Sequence, residues 1–206
     1  MPMFEYTARS QTGQIQKGQL DVTNNSMVIR SSTVAAVGAS IKTGYAGGAW
    51  TGPGVNSSTA AAGTSTGIGF GDNAVLNFTS FKGVSVGPTD VLVKYTYYGD
   101  ADLDGDVDGN DVGAWAVNFT GSGGSTTKTW TEGDWDYDGD VDGNDVGRWA
   151  VNFTGSGGGV LNITGAAPGA VAMLEAMGFT VVPEPTGLAL LGVAGAGLLA
   201  RRRRRS

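Results

Sequence analysis

The stretch "GDADLDGDVDGND" runs from Gly99 to Asp111, and nearly the same stretch, "GDWDYDGDVDGND", returns 34 positions later from Gly133 to Asp145. The two stretches hold twelve of the fifteen Asp residues of the chain, and neither contains Lys or Arg. Six carboxylates in one short loop repel one another unless a cation lies among them. The repeat therefore predicts two cation-binding loops.

The composition restricts which cation these loops could bind. The 206-residue chain has no His and no Cys, which excludes the soft-ligand sites of zinc, copper and iron–sulfur clusters. The bases that flank the loops most closely are Lys94, Lys128 and Arg148. Since none of them belongs to a loop, we expect none of them to supply the cation. Oxygen ligands for a hard ion remain, and calcium is the ion that we predict.

Both loops fit the spacing of an EF-hand loop, which takes ligands from positions 1, 3, 5, 7, 9 and 12 and has Gly at position 6. Gly105 and Gly139 occupy position 6, and position 7 is expected to contribute its backbone carbonyl. Position 12 is Asp, one methylene shorter than the usual Glu. The alternative is a disordered acidic linker, which requires neither the Gly nor the ligand spacing. The candidate ligands are Asp100, Asp102, Asp104, Asp106, Asp108 and Asp111 in loop 1, and Asp134, Asp136, Asp138, Asp140, Asp142 and Asp145 in loop 2.

A helix is predicted after each loop, because apolar residues recur there at i, i+3, i+4 and i+7. The Asp at position 12 stands where a carboxylate favours a helix N-terminus, so one side chain is expected both to bind the ion and to cap the helix. Gly113 and Gly147 each cost about 1 kcal/mol relative to Ala, so these helices need tertiary support. We expect the two Trp to pack between the helices. The apolar positions are Val112, Trp115, Ala116 and Phe119, then Val146, Trp149, Ala150 and Phe153.

The two halves together resemble the type I dockerin repeat, whose halves each carry the pattern G-D-x-[ND]-x-D-G-x-[VI]-[ND]-x-x-D. The resemblance covers Gly99 to about Gly158, and the two 26-residue halves differ at three positions. It implies two bound calcium ions, a pseudo-twofold pair of helices and a cohesin-like partner. In dockerins, loop positions 10 and 11 help to recognise the cohesin and are often Ser-Thr, whereas here both pairs are Gly-Asn. The three differing positions are Ala101/Trp135, Leu103/Tyr137 and Ala114/Arg148.

The C-terminal stretch "VPEPTGLALLGVAGAGLLARRRRRS" combines a Pro-Glu-Pro segment, an apolar run over residues 187–200 and a block of five Arg. Fourteen helical residues span about 21 Å, less than the ~30 Å of a bilayer core, so the run is a marginal permanent anchor. The Arg block favours the cytoplasmic side. A buried core helix is the alternative, and five consecutive Arg argue against it.

This arrangement resembles the PEP-CTERM sorting signal of Gram-negative bacteria. The resemblance implies an exported protein whose tail is processed by an exosortase-type enzyme after a transient association with the membrane. The expected location is therefore the cell surface or the extracellular space, with a membrane-associated precursor. The signal residues are Val182, Pro183, Glu184 and Pro185, with Arg201, Arg202, Arg203, Arg204 and Arg205 at the end.

Residues 19–98 are rich in Gly, Ser, Thr and Ala and are predicted to be mainly strands, at "QLDVTN", "SMVIRSS", "GIGFGD", "AVLNFTSF" and "DVLVKYTYYG". One helix is predicted from Ser32 to Tyr45, and residues 47–67 are predicted to be a loop. The region resembles the tail of large β-helical bacterial surface proteins. The glycines of "GIGFG" are expected to be structural, since no helix pattern follows them as in a phosphate loop.

The first residues, "MPMFEYTARSQTGQIQKGQL", have neither a positive n-region nor an apolar h-region, so they are not a secretory signal peptide. Over about twenty residues they resemble the start of a type II secretion inner-membrane protein of the F class. Because a sorting signal without an export signal is contradictory, we expect the chain to be a fragment or a fusion.

These readings combine into an α+β fold class with a β-rich N-terminal region, a small dockerin-like domain of paired calcium loops and helices, and a C-terminal transmembrane-type helix. The expected units are residues 1–18 of uncertain origin, the β-rich region 19–98, the dockerin-like domain 99–158, a linker with a short helix at 159–181, and the sorting signal 182–206.

The sequence favours a non-catalytic protein that mediates protein–protein attachment. Without His a Ser-His-Asp site is impossible, and the acidic residues outside the loops are scattered, so no glycosidase carboxylate pair is evident. Residues 1–200 carry eight basic against nineteen acidic side chains, which argues against nucleic acid as a partner. The alternatives are the C-terminal piece of a polysaccharide-degrading enzyme or of a structural β-helical surface protein.

Overall fold

The computed structural model describes residues 19–123, 127–154 and 159–182. The strands are β1 (Leu20–Asp21), β2 (Ser26–Ile29), β3 (Val55–Asn56), β4 (Thr66–Asp72), β5 (Ser80–Phe81), β6 (Val84–Ser85), β7 (Val91–Tyr97), β8 (Val160–Asn162) and β9 (Thr180–Val182). The helices are α1 (Val34–Tyr45), α2 (Ser58–Ala61), α3 (Asn73–Leu76), α4 (Gly109–Asn118), α5 (Gly143–Asn152) and α6 (Pro168–Ala176), and short 3-10 helices span Ala46–Gly48 and Trp130–Glu132.

A three-stranded antiparallel sheet with strand order β2-β7-β4 forms the centre of the N-terminal part. Val93 of β7 lies opposite Met27 on one side and opposite Phe70 on the other. Strand β7 is buried over most of its length, as its apolar run predicts. Helix α1 packs against β4, where Phe70 lies close to Gly38. The predicted strands at β2, β4 and β7 and the predicted helix α1 are thus confirmed.

The glycines of β4 allow the acidic half of the chain to approach this sheet. A Cβ on Gly69 would lie 2.5 Å from Leu103 Cδ2 and 2.8 Å from Trp130 Nε1. A Cβ on Gly67 would lie 2.7 Å from the Tyr137 hydroxyl. Because Gly67 and Gly69 are two residues apart in a strand, they lie on the same face of β4. Since neither has a side chain, loop 1, loop 2 and the 3-10 helix at Trp130 can pack closely against this face. "GIGFG" therefore has the structural role that the sequence predicts.

Two segments differ from their predicted secondary structure because of local capping. The stretch predicted as the strand "AVLNFTSF" begins as helix α3, since the Asp72 carboxylate accepts a hydrogen bond from the Ala74 amide at 2.9 Å. The predicted loop 47–67 contains β3 and α2, and Ser57 caps α2 by accepting from the Ala60 amide at 2.9 Å. Such caps favour a short helix over an extended strand.

The predicted fold class is wrong: the chain is mixed α/β, with six α-helices and several small sheets among the described residues. Three of these helices lie in the region that was expected to be β-rich, and buried residues of the whole described chain form one hydrophobic core. The longest described helix, α1, has twelve residues. No helix in the described ranges is long and apolar enough to cross a bilayer. The apolar run 187–200, on which the transmembrane-type helix was predicted, lies outside the described residues.

Residues 159–182 form a small β-α-β unit in which β8 and β9 pair in parallel. Helix α6 begins with Pro168 at its first turn, a position that Pro favours. Ala170 and Leu174 of α6 are fully buried, and the Ala167 amide donates to the Ala116 carbonyl of α4 at 2.9 Å. The unit thereby covers one side of the loop–helix repeat.

Candidate metal centre

The backbone of both acidic loops follows the same turns. The Asp104 amide donates to Asp102 Oδ1 at 3.1 Å, and the Asp106 amide donates to Asp104 Oδ1 at 3.0 Å. Loop 2 has the same hydrogen bonds at 3.2 and 2.9 Å between the equivalent Asp residues. Gly105 and Gly139, at position 6, have φ values of 112° and 100°. Gly suits this left-handed conformation, which is the sharp turn expected at that position.

The Asp at position 12 closes each loop. Asp111 accepts the Ala101 amide with one carboxylate oxygen and the Asp108 amide with the other, both at 2.7 Å. Asp145 makes the equivalent bonds to the Trp135 and Asp142 amides at 2.7 and 2.9 Å. The N-cap of each helix is the Asp at position 9, and the position-12 Asp is the reciprocal partner in a capping box. The Asp at position 12 was expected to cap the helix by itself. In the structure the capping is divided between the Asp at position 9, which is the N-cap, and the Asp at position 12.

Carboxylate oxygens converge in four groups of three, within each of which the ligand atoms lie within 4.8 Å of one another. Each loop contributes two groups, which share the position-12 Asp. The position-5 residues, Asp104 and Asp138, belong to none of these groups, and they instead shape the loop through the amides two residues on. The groups are Asp100/Asp102/Asp111, Asp106/Asp108/Asp111, Asp134/Asp136/Asp145 and Asp140/Asp142/Asp145.

Three carboxylate oxygens in these groups are buried and lack a hydrogen-bond partner in the described part of the chain: Oδ1 of Asp100, of Asp134 and of Asp140. Their residues are 0%, 5% and 7% exposed. A buried anionic oxygen without a donor or a cation is costly. An all-oxygen set with free anionic oxygens fits a hard divalent cation such as calcium.

Burial and mutual repulsion raise the pKa of several loop carboxyls. Burial raises the pKa of Asp111 and of Asp145 to about 7, and that of Asp134 to about 8. Burial also raises the pKa values of Asp102 and Asp136, and the charge of Asp104 is the main cause that raises the pKa of Asp106. A bound cation would favour the ionised form of each group.

Equivalent hydrogen bonds run in both directions between the two halves of the repeat. Trp115 Nε1 donates to the Asp142 carbonyl at 2.8 Å, and Trp149 Nε1 donates to the Asp108 carbonyl at 2.9 Å. Each indole therefore binds the loop of the opposite half, and both Trp are fully buried. The buried valines at position 8 join the halves as well, because their carbonyls accept the amides of Thr154 and Thr120 at 3.2 and 3.0 Å, respectively.

Two of the three positions that distinguish the halves bind the N-terminal part. The Ile68 amide of β4 donates to the Tyr137 hydroxyl at 2.9 Å, and this hydroxyl donates to the Ile68 carbonyl at 3.1 Å. The Arg148 guanidinium lies 4.4 Å from the centre of the Tyr98 ring and donates to the Tyr45 hydroxyl at 2.9 Å. Tyr137 and Arg148, which replace Leu103 and Ala114 of the first half, thus connect the second half to the N-terminal part.

Lys94 is the site residue that the sequence interpretation missed. It was expected to supply no charge to the loops, but its Nζ lies 3.0 Å from Asp100 Oδ2 in a buried ion pair. Thr96 Oγ1 donates to the same oxygen. The available signal was a single base within the apolar strand "VLVKYTY", since a Lys buried in a sheet must find an anion.

Comparison with known protein families gives one match, at the end of the chain. Residues 181–205 match the PEP-CTERM protein-sorting motif. The chain therefore carries the signal of an exported, surface-sorted protein that an exosortase-type enzyme processes. Val182 ends strand β9, and the other predicted signal residues lie outside the described ranges.

No curated protein and no solved structure matches the chain. The family match does not extend to residues 99–158. The resemblance of the loop–helix repeat to dockerins therefore stays a prediction.

Proposed function

We propose that residues 99–158 are a dockerin-like, non-catalytic module that binds two calcium ions and attaches an exported, surface-sorted protein to a protein partner. The observation that carries the proposal is a pair of buried oxygens on Asp100 and Asp134, the first residues of the two loops, which have no hydrogen-bond partner among the described residues. Both lie in groups of converging carboxylates. One ion in each loop would satisfy these oxygens and favour the ionised form of the neighbouring Asp, whose pKa values are raised mainly by burial.

The expected ligands are the Asp side chains that converge in each loop. Calcium bound there is a structural ion: it joins the N-terminal part of the loop to the first turn of the following helix through the position-12 Asp. Calcium binding should therefore appear as increased stability of α4, α5 and their Trp-mediated contacts. Magnesium should substitute poorly, because it demands octahedral geometry and loses its water reluctantly.

The attachment surface in this proposal is the outer face of the first helix. Val117 of α4 is 51% exposed, and a Cβ on Gly113 would meet no atom within 4 Å. The equivalent face of α5 is partly engaged, since Arg148 binds Tyr98 and the Asn152 amide donates to the carbonyls of Ser65 and Tyr98. A cohesin-like partner would therefore use α4 rather than either helix equally.

Calorimetric titration of the full chain with calcium tests the metal proposal, and two ions per chain are expected. Asp100→Asn and Asp134→Asn should each remove one ion. Glu175→Gln on the exposed side of α6 changes the charge by the same amount away from both loops, and should retain two. Stoichiometry of zero in the wild-type protein would exclude the proposal.

Attachment is tested separately, with an immobilised cohesin domain as the probe and with calcium or a chelator present. Binding that requires calcium and that Val117→Asp abolishes, while Val151→Asp on α5 does not, is the expected result. Val151 is the matched control because it is the equivalent residue of the other half and is 75% exposed. Calcium binding without any binding of the cohesin would retain the metal function and exclude this partner.

A further inference from the structure

Lys94 lies in the middle of β7 and is only 5% exposed. Its Nζ donates to Asp100 Oδ2 at 3.0 Å and to the Leu103 carbonyl at 2.8 Å. An ammonium group that has lost its water needs such partners. Both partners belong to loop 1, so a positive charge from the N-terminal sheet is held against the first calcium loop.

The contacts of Asp100 show how this charge is positioned relative to the ligand group. Lys94 and Thr96 bind one carboxylate oxygen, Oδ2. The other oxygen, Oδ1, is buried and has no hydrogen-bond partner in the ranges that the structure describes. Asp100 belongs to the converging group with Asp102 and Asp111. Lys94 therefore binds Oδ2 of Asp100, the first expected ligand, and leaves Oδ1 available for an ion.

The second half of the repeat contains a Lys that can be compared with Lys94. Lys128 stands six residues before loop 2, as Lys94 stands six residues before loop 1. Its Nζ is directed elsewhere, to Asn118 Oδ1 at 2.9 Å and to Glu132 Oε1 at 3.0 Å. Within the described ranges no ion pair joins Asp134, the first residue of loop 2, to Lys or Arg. Loop 2 is reached by a different base, Lys42 of α1, which is exposed and donates to the backbone carbonyl of Asp138 at 2.9 Å. The two loops thus have nearly the same sequence, but only loop 1 has a buried ammonium paired with its first carboxylate.

We propose that Lys94 is a built-in counter-ion that lowers the calcium affinity of loop 1, so that loop 2 binds calcium first and loop 1 only at higher calcium concentration. The inference rests on the proposed calcium-binding function. An ammonium close to a divalent ion repels it, and burial leaves this repulsion weakly screened. Without calcium, the same ammonium compensates one carboxylate of loop 1 in a buried ion pair. In the described part of the chain Asp134 forms no such ion pair, and the exposed Lys42 binds the Asp138 carbonyl instead.

Calcium titration of the full wild-type chain is the first test. Two binding steps of unequal affinity are expected, with the tighter step removed by Asp134→Asn and the weaker step removed by Asp100→Asn. A tighter step that disappears with Asp100→Asn, or two equal steps, would overturn the inference. Absence of any calcium binding would instead refute the proposed function, so the two failures are distinct.

The second test measures loop 1 alone, in the Asp134→Asn background. Adding Lys94→Met should tighten calcium binding by about tenfold or more, because the repelling charge is removed. Adding Lys128→Met, the equivalent change before loop 2, should leave the affinity within about twofold, since this Lys pairs with Glu132 away from the ligands. Unchanged or weaker binding in the folded Lys94→Met variant contradicts the inference.

Folding must be followed in the same variants, because removing Lys94 leaves the buried Asp100 uncompensated. We expect Lys94→Met to lose thermal stability in chelator and to regain it in calcium, whereas Lys128→Met shows no such difference. Lys94→Gln keeps a hydrogen-bond donor for Leu103 but carries no charge, and it replaces the Met variant if the latter does not fold. Tighter calcium binding by Lys94→Gln supports the charge effect, and wild-type affinity excludes it.

Discussion

Trp115 in the first half of the repeat donates its indole N–H to the backbone carbonyl of Asp142 in the second half, at 2.8 Å. Asp142 is at once a carboxylate of loop 2 and the N-cap of α5. One side chain of the first half therefore binds the residue at which loop 2 passes into helix α5. Because Trp149 repeats the contact in reverse, neither half is expected to hold its loop correctly alone.

Trp115→Phe should lower the free energy of unfolding in calcium by about 1–3 kcal/mol, because it leaves the buried Asp142 carbonyl without its donor. Trp149→Phe should have a similar effect. Trp135→Phe is the control, since the buried Trp135 indole N–H makes no hydrogen bond within the described part of the chain. Urea unfolding of the three variants measures the difference, and equal losses in all three would show that packing alone is involved.

The stability of the calcium-free protein should fall as pH rises from about 4 to about 8. Burial raises the pKa values of Asp111 and Asp145 to about 7 and that of Asp134 to about 8, from an ordinary value of 3.8. In this window the folded protein binds more protons than the unfolded chain, so deprotonation favours unfolding. Thermal unfolding in chelator across this range is the measurement, and a rise in stability with pH would contradict it.

Calcium binding should release protons at about pH 6.5, because the ion favours the ionised form of these three carboxyls. Calorimetric titrations in two buffers with different ionisation enthalpies give the number of protons released. The release should disappear at about pH 9, where the carboxyls are already ionised. Equal heats in both buffers at the lower pH would mean that these groups do not take part in binding.

Gly69→Ala should destabilise the protein by about 1–3 kcal/mol, because the new methyl group would be forced against Leu103 and Trp130. Gly113→Ala, within α4, should instead stabilise it by about 1 kcal/mol, since a Cβ there meets no atom within 4 Å and Ala is the better helix former. Chemical unfolding of both variants checks the pair. A neutral Gly69→Ala would show that β4 and loop 1 are not in close contact.

The sorting motif leads to a prediction about the mature protein. In a host that exports the protein and has an exosortase, the surface protein should lack the block Arg201–Arg205. The block belongs to the segment 181–205 that matches the sorting motif, and this motif implies processing by an exosortase-type enzyme. Mass spectrometry of the C-terminus is the measurement. Replacing the block with Ser should reduce cleavage, and an intact block on the mature protein would contradict the prediction.

The sequence predicts those parts of the structure whose causes are local. The turn at the position-6 Gly and the helices after the loops depend on signals within about twenty residues, and the structure contains both. Lys94 could not be placed in the same way. Which partner a base finds depends on the pairing of β7 with its neighbours, and the equivalent Lys128 binds Glu132 instead.

The fold class was wrong for a related reason. A β-rich composition describes residues 19–98 on average, but single caps such as Asp72 and Ser57 start helices within it. Gly67 and Gly69 of β4 were interpreted as structural, yet the residues that a Cβ there would meet lie more than thirty residues away in sequence. The spacing of the Gly residues shows which face of β4 lacks side chains, but it does not show which residues pack against that face.

The contacts of strand β4 limit where the chain can be cut to obtain a fragment that contains the repeat. A fragment cut at Gly99 would keep every Asp of both loops but would lose Ile68, whose amide and carbonyl bind the Tyr137 hydroxyl. It would also uncover Trp130 and remove Lys94. Calcium affinities measured on such a fragment would describe two nearly equivalent loops beside a newly exposed aromatic surface. The proposed difference in affinity between the loops depends on contacts with residues before Gly99, so we expect it to be lost in the fragment.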